Sequence, residues 1–113
     1  LADNATDTSD VENCQGKASC AVTIEATEDN TGAINGIATA YILGQIEGTT
    51  YEEPGIGTPY AKEFTPVQNN TVRILMPVDV RIYRNFKVAV FNESGQELDI
   101  SVRIATGDIA LAS

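Results

Sequence analysis

Reactive side chains are sparse in this 113-residue chain, and their spacing limits the chemistry open to them. Histidine and tryptophan are absent, which removes the commonest general base, the commonest neutral metal ligand and the strongest sugar-stacking ring. Serine and cysteine nucleophiles have no imidazole partner, so a triad of the usual kind cannot be assembled. Glu52-Glu53 beside Pro54 supplies two carboxylates, but a glycosidase pair needs a cleft and a fixed separation that adjacency does not provide. Gly55-Ile56-Gly57 is not followed by the lysine or helix start of a phosphate loop. Asp3, Asp7, Asp10 and Glu12, and the group Glu28-Asp29-Asn30, offer oxygens of the kind calcium takes, without the spacing of an EF-hand loop. Tyr41, Tyr51, Tyr60, Tyr83 and Phe64 could line a ligand groove, although such rings more often anchor a core or a loop. The chain is read as a non-enzyme with no catalytic residue, no cofactor and no metal site.

Two cysteines, Cys14 and Cys20, flank the polar stretch Gln15-Gly16-Lys17-Ala18-Ser19 and are placed to close an intrachain disulfide. Such a loop of about seven residues is worth about 2 to 2.5 kcal/mol in the loop-entropy model. It would persist in an oxidising compartment. The chain opens at Leu1 rather than Met, read here as removal of a leader on secretion. Three sequons, at Asn4, Asn69 and Asn92, fall in stretches read as loop or tail and are candidate glycosylation sites. No run of about 18 apolar residues occurs, so no membrane insertion of the mature chain is expected. The expected location is extracellular or at the cell surface.

Net charge is −9 with a pI near 4.2, a field that repels phosphate backbones and anionic lipid. Nucleic acid is therefore not an expected partner. The charge is uneven: residues 1 to 61 hold ten acids against Lys17, and residues 62 to 113 balance six acids with Lys62, Arg73, Arg81, Arg84, Lys87 and Arg103. Those bases could meet the acidic arm of another copy head to tail, or simply be solvated.

The elements that must carry these residues are strands. Val72, Ile74, Met76, Val78, Val80 and Ile82 alternate with polar residues, and Pro77 should split the run into strands near 71–76 and 78–83 or mark an edge or bulge. After a tight turn at Arg84-Asn85, Phe86, Val88 and Val90 resume the alternation, and Leu98, Ile100, Val102 and Ile104 follow another turn. Together these predict a β-meander across 71–104. Cys20, Val22, Ile24 and Ala26 mark an earlier strand ending in a turn at 28–32. The segment Ala33 to Ile46 has helical spacing as well, but Gly36, Gly44 and its β-branched residues favour a buried strand. From Gly48 to Pro66 the chain reads as a long loop with one short strand around Tyr60 to Phe64. The fold class expected is all-β, an antiparallel β-sandwich or small jelly roll over residues 14–113, preceded by an extended N-terminal arm over 1–13.

The arm Leu1 to Glu12, the Cys14/Cys20 pair and the β-rich body from Cys20 onward together resemble the subunits of extracellular filaments, pili among them, joined by donor-strand exchange. The likeness is architectural. It implies a structural subunit whose partner is itself, in a head-to-tail homopolymer built by β-strand addition. It also implies that the arm, through Leu1, Ala2, Ala5, Thr6, Thr8 and Val11, is the candidate donor strand. The arm departs from the usual pattern in having few large apolar residues, and Ile109 and Leu111 offer a better hydrophobic plug as an alternative donor. Two other readings stand beside it: a secreted monomeric module binding a glycan, a host surface or a protein through the 48–66 loop, and a jelly-roll virion capsid or decoration protein.

Overall fold

The computed structural model describes residues 1–14, 16–29, 32–57 and 59–107. No helix occurs among them. The strands are β1 (Ala5–Thr8), β2 (Glu12–Asn13), β3 (Ser19–Glu28), β4 (Ile37–Glu47), β5 (Thr50–Tyr51), β6 (Tyr60–Phe64), β7 (Asn70–Val78), β8 (Asn85–Glu93) and β9 (Asp99–Gly107). They form two antiparallel sheets, an all-β sandwich. In the first, β8 and β4 are central, with β1 and β2 on the far edge of β8 and with β5 and β6 on β4. The second runs β7-β3-β9.

Period-two patterning makes the core. On β3, Cys20, Val22, Ile24, Ala26 and Glu28 are buried while the residues between them are half-buried, as expected of a strand with one inward face. Ile42, Phe86 and Val88 meet them from the other sheet, and Met76 joins them from neighbouring β7. Segment 37–47 is a strand, as its glycines and β-branched residues indicate, and it lies between β8 and β6 with Ala38, Thr39, Ala40, Ile42 and Leu43 all buried. The short strand expected around Tyr60 to Phe64 is β6.

Pro77 marks an edge, one of the alternatives its position offered, and does not split β7: it sits within the strand opposite Ala21, on an outer edge of the sheet where its missing N–H breaks no ladder. Two expectations are corrected. No strand spans 78–83. There the Asp79 carboxylate accepts the Arg81 backbone N–H (2.9 Å) and the Arg81 guanidinium (3.0 and 3.1 Å), and the Asp79 carbonyl accepts from Ile82 and Tyr83. The guanidinium bonded to it, with the Arg81 N–H adding, holds the Asp79 carboxyl below its ordinary value. The chain turns, leaving Ile82 exposed. Nor is 71–104 a meander, because β7 and β9 flank β3 while β8 lies in the other sheet. Each connection crosses the sandwich instead of returning along one sheet.

The register defines two ends. Cys20 faces Val78 and Thr106, and the Cys14–Cys20 bond ties this end of β3 to the start of β8. Glu28, Asn70, Asn92 and Leu1 lie at the other. At that end the buried Glu28 carboxylate accepts the backbone N–H of Asn69 (2.8 Å), whose φ of 54° places it in the left-handed region, and that of Gly32 (3.4 Å).

Candidate assembly surface

The arm is seated on its own domain. Ala5 to Thr8 pair antiparallel with Asn92 to Ala89, and Ser9 extends the ladder by donating its N–H to the Val88 carbonyl (2.8 Å) and accepting the Val88 N–H on its hydroxyl (2.9 Å). At the far end, Leu1 and Leu98 exchange backbone hydrogen bonds. The buried Asn92 side chain donates to the Leu1 carbonyl (3.1 Å) and the Gln96 carbonyl (2.7 Å), and accepts from the Ser94 N–H (3.0 Å) and hydroxyl (2.7 Å). Asp3 accepts the Gly95 N–H (2.9 Å). Backbone and amide groups therefore hold an arm with little hydrophobic payload. Of the residues singled out in it, Leu1 packs against the core, Ala5 is half-buried, Ala2, Thr6 and Thr8 are exposed, and Val11 is 47% exposed.

The composition of β1 leaves the sandwich open on this side. Residues opposed across an antiparallel pair share a face, so Ala5 and Asp7, opposite Asn92 and Val90, take the inward positions. Neither is large and apolar enough to close the gap to the second sheet. A cleft of about 100 Å³ remains between β1 and β9, floored by Val88, Val90, Ile100 and Val102 and rimmed by Asp7, Thr8 and Ser9. On β9, Ile100, Val102 and Ile104 point inward yet are only half-buried. Among the described residues β9 pairs with β3 alone, so its other edge presents unpaired backbone groups over nine residues.

Other edges are guarded. β8 is covered by the arm, and β7 carries Pro77 while the Lys62 ammonium donates to its Leu75 carbonyl (3.3 Å). β6 is five residues long and bears Lys62 and Glu63. Short edges, prolines and charges of this kind discourage strand addition. β9 has no proline and no register break, and its charges, Asp99 and Arg103, lie on the outer face.

The remaining candidates sort as follows. Cys14 and Cys20 form the expected disulfide. Asn4 and Asn69 are exposed, but Asn92 is 0% exposed with its amide nitrogen donating twice; the folded chain has no room for a glycan there, which corrects the reading of Asn92 as a surface acceptor. Glu28 faces the core rather than a cation, and no cluster of metal-ligating residues occurs among the described residues. Arg73 and Arg103 both meet Glu25 on the outer face of β3 (2.9 and 3.5 Å), and Lys87 lies over the Tyr51 ring at 4.8 Å. Ile109 and Leu111 lie outside the described residues. A second cleft, of about 320 Å³, is lined by Gly44, Gln45, Ile46, Glu52, Ile82 and Tyr83. There Glu52 accepts the Gly44 N–H (2.9 Å), and partial burial, with the charges of Glu52 and Tyr60, raises the Tyr83 phenol above its ordinary value.

Among the described residues the molecule is thus an antiparallel sandwich with one long unguarded edge. No protein-family model, curated protein or solved structure matches the chain, so its site is argued from its own residues. Sequence reasoning missed β9 as that edge and Glu28 as a buried clamp. The second was signalled by the alternation 20, 22, 24, 26, 28, and the first by a regular β-run free of proline and glycine up to Gly107.

Proposed function

We propose that this chain is a structural, non-catalytic subunit of an extracellular filament whose neighbouring copies join by β-strand addition. The observation that carries the reading is β9: nine regular residues, bonded on one side only among the described residues, beside a cleft with an apolar floor. An unpaired edge is a template for another strand, and a protein that guards its other edges and leaves this one open has a use for it. The disulfide fits an oxidising compartment, and no helix long and apolar enough to cross a membrane occurs among the described residues. In this reading the arm completes the sheet at β8, and exposed Asn4 and Asn69 remain open to glycan addition.

A second reading, a binding module, draws on the cleft at Gly44, Glu52 and Tyr83, whose volume of about 320 Å³ falls at the small end of ligand pockets. Negative-stain microscopy with light scattering on the intact chain and on Val102→Lys separates the two. The filament reading expects fibres from the intact chain and none from the variant, whose inward charge blocks the edge. A monodisperse 12.0 kDa particle from both, at every concentration, would contradict it and favour the cleft.

A further inference from the structure

Beyond Gly107 the chain reads Asp108-Ile109-Ala110-Leu111-Ala112-Ser113. In an extended chain Ile109 and Leu111 share one face, about 7 Å apart. The cleft floor repeats that interval twice, in Val88 and Val90 on β8 and in Ile100 and Val102 on β9. We infer that segment 108–113 of a neighbouring copy is the strand added to β9, with Ile109 and Leu111 seated over these four residues. The inference rests on the filament reading and names its donor.

Folded back as a hairpin on its own β9, the segment would not bring those side chains there. The tightest hairpin, a two-residue turn at Gly107-Asp108, sets Ile109 opposite Thr106 and Leu111 opposite Ile104, short of Val102 and Ile100. Any longer turn leaves them further away. A second β9 is a poorer occupant, because antiparallel pairing in full overlap puts the two copies' Arg103 side chains directly opposite each other, a like-charge contact. The segment leaves from the end of the sandwich that holds the disulfide, opposite the end that holds Leu1. Donation from one end into a translated copy is a heterologous contact, which repeats without closing.

The test uses the whole chain bearing Val102→Cys and Leu111→Cys, oxidised after assembly, beside Leu111→Asp and a version lacking 108–113. The expected result is a ladder of covalent multimers on a non-reducing gel, with assembly lost on removal of 108–113. Leu111→Asp should raise the critical concentration about 10- to 100-fold, the equivalent of exposing one buried leucine, while its thermal unfolding stays that of the intact protein. A crosslink within one chain, or a closed dimer that does not extend, overturns the inference. Fibres that persist unchanged without 108–113 overturn the donor and leave the filament reading standing. An intact chain that forms no fibres removes both.

Discussion

Replacing Asn92 with alanine should loosen the arm and the fold together. The buried amide makes four hydrogen bonds, two accepted from Ser94 and two donated to the Leu1 and Gln96 carbonyls. The carbonyls keep other donors, the Leu98 N–H at 2.9 Å and the Ser94 hydroxyl at 3.1 Å, so their loss costs about 0.5 kcal/mol each. The Ser94 N–H is left buried without its acceptor, at about 1 to 3 kcal/mol. The sum is about 3 kcal/mol, or about 12 °C in Tm for a domain of this size. Urea unfolding should show the midpoint falling by about 1 to 3 M at constant slope, and amide exchange should quicken across residues 4–8 as the clip at Leu1 fails. Asn92→Asp, which keeps an acceptor for Ser94 but turns a carboxylate toward two carbonyls, should be no better tolerated near neutral pH. A loss below about 1 kcal/mol, with unchanged exchange in the arm, would refute the reasoning.

Other expectations concern single contacts. Replacing Cys14 and Cys20 with serine should lower stability by about 2 kcal/mol, read by denaturation under non-reducing conditions, with an unchanged midpoint counting against the staple. Gly36→Ala should be strongly destabilising, since its new Cβ would overlap the Glu93 backbone carbonyl, which cannot swing aside as a side chain can; expression and thermal melts check this. Tyr83 should titrate above its ordinary value in a spectrophotometric titration, and Glu52→Gln should bring it down. Because its folded value is raised, Tyr83 keeps its contribution to stability below the unfolded value near 10, and that contribution is lost as pH rises through the folded value.

What could be read in the sequence was what depends on neighbours two residues apart. The inward sets Val22, Ile24, Ala26 and Phe86, Val88, Val90 are buried as their alternation requires. Alternation does not say which sheet a strand joins, which is why β7, β8 and β9 looked like a meander. Nor does it see a polar residue that ends a strand, as the Asp79 carboxylate does ahead of Val80 and Ile82. The arm was legible as extended and poorly apolar, but its seat depends on Asn92 and Leu98, more than ninety residues from Leu1. A sequon records three residue types and not the burial of its asparagine. The open edge of β9 left only an indirect trace, a run without proline or glycine up to Gly107, since an edge is set by which strands pair with it and among the described residues only β3 does.

The central claim, assembly through β9, is tested most directly by amide hydrogen exchange over residues 99–107 in assembled and dispersed protein. The account predicts that the β9 amides pointing away from β3 become protected on assembly while those on the outer edge of β7 do not. Equal exchange of the β9 amides in both states would contradict it.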